Sequence, residues 1–285
     1  MAPPKTDLDK PFGGSWTKEK LDILQRYLDA YTTALKNKPF QLWYIDAFAG
    51  TGDVQLRRPE DGAEAFLAGS ARRALAVGDR PFDRLIFIER HPERCIQLSR
   101  LRSEHPGRDV RIENAEANSY LRSLTTPRKP SVRGVLFLDP FATQLVMSTL
   151  KHIAGLQRFD TWILFPVSAI SRLLPRWRKP DDISPKWVER LNQVYGGDSW
   201  RGLYRPDTQQ NLFGPADSVR KPGVADLTRI YRKRLSEAFG SRLLADTAEL
   251  RNSRGSVLFE LIFCVGHPRG IGPAKNIAAH LLKDI

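Results

Sequence analysis

The residues with the clearest chemical potential stand where short apolar runs end. The first run, Leu42–Ile45, is closed by Asp46 and followed by a turn rich in glycine. Such a turn after a buried strand lets a nucleotide cofactor approach the backbone, because side chains at the glycines would fill that space. The alternative is a tight turn without a ligand. The residues predicted to bind a cofactor are Asp46, Phe48, Ala49, Gly50, Thr51 and Gly52.

This turn resembles a known cofactor motif. Its sequence, Asp-x-Phe-Ala-Gly-Thr-Gly over residues 46–52, is similar to motif I of the class I methyltransferases, especially those that modify nucleic acids. The resemblance implies S-adenosylmethionine as the cofactor. One feature differs from the usual motif, because residues 53–69 precede the next helical pattern. This loop is expected to be a lid over the cofactor or a variable surface excursion, with Ser70 as the N-cap of the helix that follows.

Glu89 closes a second apolar run, Leu85–Ile88. In dinucleotide-binding folds an acid at the end of the second strand holds the ribose hydroxyls, since a carboxylate accepts both hydroxyl protons. Glu89 is therefore predicted to bind the ribose of the cofactor. The alternative is a solvent-facing acid paired with Arg90 or Arg94.

Glu116 follows a weaker run, Val110–Glu113. In related enzymes an acid at this place meets the adenine amino group, so the resemblance implies that Glu116 binds the cofactor's adenine. Asn118 is expected to cap or to begin the next helix.

A candidate catalytic segment, Asp139-Pro140-Phe141, ends the apolar run Gly134–Leu138. It resembles the Asp-Pro-Pro-Tyr and Asn-Pro-Pro-Phe segments of amino-group methyltransferases. There the acid and a proline carbonyl hold the target amine, and the aromatic ring stacks on the base. The match is partial, because the second proline is missing and Phe141 stands one place early. The alternative is a strand-ending turn with a buried phenylalanine.

The elements that must position these residues alternate along the chain. Five runs typical of buried strands are separated by helical patterns, which predicts right-handed crossovers and a mostly parallel sheet. Two later runs, Arg242–Leu250 and Val257–Val265, flank turn residues and predict an antiparallel hairpin, followed by a helix from Ala274 to about Lys283. The predicted fold is α/β: a class I methyltransferase (Rossmann-like) sheet of five parallel strands plus a C-terminal antiparallel hairpin, with an inserted helical cap.

The predicted organisation has three parts after a loose tail, Met1–Gly14. Residues 15–170 form the cofactor-binding core, residues 171–239 an inserted cap, and residues 240–285 the hairpin and helix that complete the core. Within the cap, the stretch Arg172–Arg234 has 14 basic and 7 acidic residues, interleaved with tryptophan and tyrosine. These could hold phosphates and stack bases. The alternative is that the aromatic residues form the segment's own small core.

Composition narrows the function classes. The chain of 285 residues has a formal net charge of +13, which favours a polyanionic partner such as nucleic acid over a neutral one. It has no run of eighteen apolar residues, so a membrane-spanning helix is not expected. Cys95 and Cys264 lack metal-ligand spacing and are expected to be buried, reduced thiols. No metal site is predicted, and the expected location is cytoplasmic.

The order of these motifs resembles one family. Residues 44–52, Gly69–Arg72, Phe87–Glu89, Leu136–Phe141 and Trp162–Pro166, with the helix 16–35 and the late strand 259–267, are similar to the three-Cys-motif partner proteins, TcmP. That bacterial family has a methyltransferase-like fold. Its name implies a partner that carries the three cysteines, of the phage Gp37/Gp68 type and similar to radical-SAM proteins. Members usually have glycine where this chain has Ala142, so the turn after the catalytic segment is expected to differ.

Three functions remain open on the sequence. The first is a methyltransferase acting on an amino group, with a nucleic acid base as substrate. The second is a methyltransferase of a protein or peptide linked to the three-Cys-motif partner. The third is a non-catalytic binding module that keeps the fold and its basic surface. A nicotinamide-dependent dehydrogenase is disfavoured by the late hairpin and by the Phe-Ala-Gly-Thr-Gly turn.

Overall fold

The computed structural model describes residues 15–55, 66–127, 131–174, 180–206, 219–220 and 223–283. The predicted N-terminal tail, Met1–Gly14, lies outside these residues, as do Trp177 and much of the stretch that follows Pro206.

One seven-stranded sheet organises the chain, in the order β10-β11-β7-β6-β1-β4-β5. Its five central strands run parallel, and β11 is antiparallel to both β7 and β10. The prediction of an α/β fold with a mostly parallel sheet is confirmed. The strands of this sheet are β1 Phe40–Asp46, β4 Arg84–Glu89, β5 Val110–Asn114, β6 Ser131–Leu138, β7 Phe159–Phe165, β10 Ala248–Arg251 and β11 Val257–Cys264.

Helices cover both faces of the sheet and bury two apolar cores, one on each face. The central strand β1 contributes to both cores. Trp43 and Ile45 lie in one core and Leu42 and Tyr44 in the other, so this strand is apolar on both faces. The helices are α1 Ser15–Ala34, α2 Ser70–Leu75, α3 Pro92–Ser103, α4 Ala117–Ser123, α5 Met147–Leu156, α6 Val167–Leu173, α7 Pro185–Tyr195, α8 Val224–Phe239 and α9 Ile271–Leu282.

Two short hairpins were not predicted. β2 Asp53–Gln55 pairs with β3 Phe66–Ala68, and β8 Arg205–Pro206 pairs with β9 Val219–Arg220. The first of them occupies both ends of the stretch 53–69, which was predicted to be a loop; residues 56–65 between its strands lie outside the described residues, so their role as a lid stays a prediction. The strand count of the chain therefore exceeds the prediction, because two- and three-residue strands leave no periodic signal.

Three predicted boundaries near the chain's end and after the glycine turn were wrong. β10 begins at Ala248 and not at Arg242, whose guanidinium instead donates to three backbone carbonyl oxygens. α9 begins at Ile271, because Pro273 is tolerated in a first helical turn. Gly69, and not Ser70, is the N-cap of α2, since the Ser70 hydroxyl is used elsewhere.

The segment predicted as a cap contributes two helices to one of the cores. Tyr195 of α7 and Tyr231 of α8 are buried, and the Tyr231 ring stacks on Phe165 of β7 with centroids 4.1 Å apart. Trp200 is also fully buried. These rings belong to the protein's own core and cannot stack on bases. The division into core, cap and completing segment stays a prediction.

In the described part of the chain, no helix combines the length and apolar character needed to cross a membrane. Cys264 is buried, as expected, and its pKa is raised well above the usual range by that burial. Cys95, expected to be buried, is only half-buried on α3, where its thiol donates to the Glu89 carbonyl.

Candidate active site

The predicted site residues meet at the carboxyl edge of the sheet. From β1 the chain first crosses to β4 and β5 on one side, and then to β6 and β7 on the other. The direction of winding therefore reverses between β1 and β6, which is where open α/β sheets bind their ligands. Asp46 ends β1, Asp139 directly follows β6, and Glu89 ends β4 on the opposite side of β1. The candidate site is thus built on three adjacent strands.

The glycine turn is fastened to both neighbours of β1. The Ala47 amide donates to the Phe137 carbonyl (3.1 Å), and the Ala49 amide donates to the Ile88 carbonyl (3.1 Å). Gly50 and Gly52 have φ values of +62° and +87°, which side chains rarely adopt. A Cβ atom at Gly50 would meet no atom within 4 Å. The turn therefore has a fixed backbone and open space above Gly50.

Asp46 is fully buried beneath this turn. Its carboxylate accepts hydrogen bonds from the Ser70 hydroxyl, from the Phe48 amide (3.3 Å) and from the Tyr44 hydroxyl (3.4 Å). Burial raises the pKa of Asp46 to about 7, against the lowering effect of the Ser70 and Phe48 bonds. Asp46 thus joins the turn to the start of α2 across the intervening loop.

Glu89 holds the other side of the turn. One carboxylate oxygen accepts the Gly50 amide (3.1 Å), and the other accepts the His91 amide (2.8 Å). The Arg94 guanidinium lies 3.7 Å from the Glu89 carboxylate, so the pairing named in the alternative interpretation is present. Glu89 is only 6% exposed, however, and does not face solvent as that alternative expected. A carboxylate has about four lone-pair positions, so these two amides leave acceptor capacity on each oxygen.

Glu116 is the N-cap of α4, which corrects the role expected for Asn118. Its two oxygens accept four hydrogen bonds, from the backbone and side chain of both Asn118 and Ser119. These bonds lower the pKa of Glu116 below its usual range, although burial acts in the opposite direction. The predicted contact with adenine would require one of these donors to be replaced.

Asn118 instead holds the loop after β6. Its amide group donates to the Gln144 carbonyl (2.8 Å), and its oxygen accepts the Val146 amide (3.1 Å) and the Thr149 hydroxyl (3.0 Å). This buried side chain of α4 therefore holds the end of the loop after β6 and the start of α5 against α4.

Asp139 is paired with a residue that the sequence did not single out. Lys20 of α1 donates to its carboxylate, and only 7% of the Lys20 side chain is exposed. The Lys20 ammonium also lies 4.8 Å from the centre of the Trp16 ring, which in turn packs on Phe259 at 4.9 Å. The first turns of α1 therefore lie over the carboxyl edge of the sheet, where the Lys20 ammonium pairs with the carboxylate of Asp139.

The loop after Asp139 exposes an aromatic ring. Phe141 is 65% exposed, whereas Pro140 is buried. A cavity of about 10 Å³, lined by Pro140 and Tyr231 among others, lies beneath this loop. It is far too small for a base, so a planar ligand would have to bind on the outer side, where Phe141 lies. The alternative of a buried phenylalanine in a strand-ending turn is wrong.

Ala142 adopts φ +55° in this loop, a conformation that favours glycine. The turn was expected to differ because alanine replaces the usual glycine, but the φ angle of Ala142 is one that glycine would adopt. For alanine the left-handed conformation costs about 1 kcal/mol of stability.

Ala142→Gly should consequently leave the free energy of unfolding unchanged or raise it by about 0.5 kcal/mol, because the relief of strain offsets the greater freedom of glycine in the unfolded chain. Urea unfolding measures this difference. Ala30→Gly, in the middle of α1, is the control and should lose about 1 kcal/mol. Equal losses in both variants would contradict the strain at Ala142.

Three residues of the site escaped prediction: Lys20, Ser70 as a partner of Asp46, and Asn118 as a clamp. Asn118 and Ser70 stood beside predicted residues, so proximity in sequence was an available signal. Nothing in the helical pattern of α1 distinguished Lys20 from its neighbours. Among the described residues, no group of three His, Cys, Asp or Glu side chains could hold a metal ion.

No protein-family model matches the chain, and no curated protein matches it. Among solved structures, the fold is similar to that of protein LPL1258 from Legionella pneumophila, of family model DUF519. The TM-score is 0.54 at 14% identity, covering 93% of this chain and 90% of that one.

Two other similar structures are linked by name to S-adenosylmethionine. One is Trm1 from Pyrococcus horikoshii in complex with S-adenosyl-L-methionine (TM-score 0.47, 13% identity, 98% of this chain and 60% of that chain). The other is a SAM-dependent methyltransferase from Leishmania major (TM-score 0.37, 11% identity, 91% of this chain and 86% of that chain). At 14% identity the similarity to LPL1258 supports the fold alone, and the resemblance to the three-Cys-motif partner proteins stays a prediction.

Proposed function

We propose that this chain is an S-adenosylmethionine-dependent methyltransferase that modifies an amino group of a nucleic acid base. The observation that carries the proposal is the juxtaposition at the switch point of the sheet. There the glycine turn after β1 and the Asp139-Pro140-Phe141 segment after β6 end adjacent strands. A cofactor turn and an amine-binding segment on neighbouring strands are what methyl transfer to nitrogen needs.

The residues present fit the cofactor. The open space above Gly50 admits a ligand against the backbone, and Glu89 beside it retains acceptor capacity for ribose hydroxyls. Glu116 is proposed at the adenine end, where a ligand amine would replace one of its present donors. When bound, S-adenosylmethionine supplies an electrophilic methyl group.

The chain's own residues would orient the acceptor. The Asp139 carboxylate and the Pro140 carbonyl accept hydrogen bonds from the incoming amine. These bonds direct the lone pair of the amine nitrogen toward the cofactor side. Phe141, exposed on the outer side of the loop, stacks on the base. Lys20 now occupies the Asp139 carboxylate with an N–H donor, which supports the assignment of this position as a site for amines. Lys20 must shift for a substrate amine to make the same contact.

Gly50→Asn tests the cofactor site. Asparagine tolerates φ near +60°, so the turn should persist while the new side chain enters the cofactor space. We expect S-adenosylmethionine affinity, measured by calorimetry, to fall at least about tenfold, a loss of about 1.4 kcal/mol.

Gly255→Asn is the matched control, since Gly255 has φ +74° and equally open surroundings but lies in the β10–β11 turn. It should bind as the wild type does. If the wild-type chain itself gives no heat with the cofactor, the proposal is overturned in favour of a non-catalytic module.

The substrate class is tested by offering radiolabelled cofactor to RNA, DNA and three-Cys-motif partner protein in separate reactions. Label in RNA or DNA, released as an N-methylated base, is expected. Label in the protein alone would replace the nucleic acid proposal with the peptide alternative.

A further inference from the structure

A second group of polar residues lies at the opposite, amino edge of the sheet. Phe40 and Ser131, the first residues of β1 and β6, are paired there. Arg133 and Arg158 both donate to the Ser131 hydroxyl, at 3.2 and 2.7 Å. Two guanidinium groups therefore converge on one neutral oxygen.

The charge of these arginines is only partly compensated by nearby acidic groups. Among the described residues, no carboxylate lies within ion-pair distance of Arg133, Arg158 or Arg269. The buried carboxylate of Asp160 interacts electrostatically with Arg133, but it is already bonded to the Tyr27 hydroxyl and the Gly266 amide, each at 2.6 Å. Burial and then the charge of Arg158 lower the pKa of Arg133, against the raising effect of Tyr31 and Asp160, which agrees with the shared contact of the two guanidinium groups at Ser131.

His267 lies on a segment next to Arg158, because the Gly266 amide donates to the carboxylate of Asp160, two residues after Arg158, at 2.6 Å. Its Nδ1 accepts the Arg269 amide at 3.2 Å, which leaves the proton on Nε2. Burial, and then the charges of Arg133, Arg269 and Arg158, lower the pKa of His267. Arg269 is exposed and stands just before the N-terminus of α9, where the helix dipole also favours an anion.

Arg133 and Arg158 differ from Arg242, an arginine whose role is structural, in exposure and in how many of their donors are used. Arg242 is 7% exposed and spends its guanidinium on the carbonyl oxygens of Phe239, Gly266 and Ala154. Arg133 and Arg158 are only half-buried. Arg133 donates besides to the Val132 carbonyl and lies over the Phe40 ring at 4.9 Å, so its position is fixed while donors remain.

We propose that Arg133 and Arg158, with Arg269 on the adjoining segment, form a binding site for a phosphate group of a nucleic acid backbone. Guanidinium groups match the paired oxygens of a phosphate, and an anion among them would relieve their mutual repulsion. The convergence of two guanidinium groups on one point suits a single phosphate better than the broad surface of a membrane. The proposal does not depend on methyl transfer.

The position of this site sets a length requirement. The seven residues of β1 separate the two edges of the sheet by about 23 Å at about 3.3 Å per residue. A nucleic acid strand must follow the protein surface, a path longer than about 23 Å, so at the stacked rise of about 3.4 Å per nucleotide it would need at least about seven nucleotides. Long nucleic acids should therefore use the arginine site, whereas a four-nucleotide fragment at the carboxyl edge should not.

The test measures binding of a 25-nucleotide single-stranded RNA by fluorescence anisotropy over a range of salt concentrations. Arg133→Gln/Arg158→Gln should weaken binding about tenfold, and the slope of log K against log salt should become shallower by about 1. The variant Arg133→Lys/Arg158→Lys keeps the positive charges but lacks the paired donors of the guanidinium groups, so it should lose less RNA affinity. Thermal unfolding of each variant checks that the fold is intact.

The control removes the same charge elsewhere, through Arg100→Gln/Arg254→Gln on two separate exposed sites. A loss in the control equal to that in the cluster variant would show a diffuse charge effect and overturn the site. Orthophosphate and vesicles containing phosphatidylserine form two further arms. If the wild type binds orthophosphate or the vesicles, and the cluster variant loses that binding but still binds RNA as the wild type does, the site would belong to free phosphate or to a membrane instead.

The two proposals fail separately. The cluster variant should keep its cofactor affinity and its methyl transfer to a four-nucleotide substrate, and should raise only the KM for a long one. Loss of activity in Gly50→Asn with no effect of the cluster variant on RNA would leave the methyltransferase proposal standing alone.

Discussion

Asp139→Asn and Asp139→Ala should lower the rate of methyl transfer by about 10³-fold while S-adenosylmethionine affinity stays within about threefold of the wild type. The carboxylate is proposed to orient the amine and does not lie in the glycine turn that holds the cofactor. A single-turnover assay with labelled cofactor measures the first quantity, and calorimetry measures the second. Unchanged transfer in both variants would exclude Asp139 from the reaction.

The ion pair with Lys20 complicates this variant, because removing Asp139 leaves a buried ammonium group without its partner. Lys20→Met separates the two effects. If Asp139 is needed only to hold α1, Lys20→Met should lose activity as completely as Asp139→Asn does. If Asp139 acts on the amine, Lys20→Met keeps most of its transfer rate even where its melting temperature falls. Asp246→Asn, an exposed acid beyond the site, serves as the neutral comparison.

Asp46 should make the protein less stable as the pH rises toward neutrality. Its pKa in the folded state is about 7, above the usual value of 3.8 that applies to the unfolded chain. Between these values the folded state binds more protons, so the free energy of unfolding falls as the pH rises. The physical cause is the burial of the charge. From pH 5 to pH 7 this group should remove about 2 kcal/mol, and above about pH 8 its effect is constant.

Urea unfolding of the wild type and Asp46→Asn at pH 5, 6, 7 and 8 measures this dependence. Asparagine cannot ionise, so the variant should lose the part of the slope that comes from Asp46. Asp160, whose pKa is raised to about 6 mainly by burial, acts in the same direction and stays in both proteins. The difference between the two curves therefore isolates Asp46, and parallel curves would refute its raised pKa.

Much of the scaffold could be predicted from the sequence because a buried parallel strand is apolar on both faces. The runs ending at Asp46, Glu89 and Leu138 became β1, β4 and β6. Parallel strands place their carboxyl ends at one edge, so the acids after these runs had to lie close together. The placement of Asp46, Glu89 and Asp139 on adjacent strands was thus implicit in the alternation of elements.

The contacts made by those acids depended on the tertiary structure. Lys20 and Asp139 are 119 residues apart, and only the packing of α1 on the sheet brings them together. Ser70 bonds to Asp46 because the pairing of β3 with β2 and the bond from the Gly69 amide to the Gly52 carbonyl place the start of α2 at the end of β1.

The arginines at the amino edge gave no signal at all, because Arg133, Arg158 and Arg269 come from three separate segments. By itself the sequence determined which elements form and which acids stand at their ends, since burial imposes a local pattern on each strand. Only the tertiary structure decided which charges face one another, because a helix or loop carries its side chains to partners that no local pattern specifies.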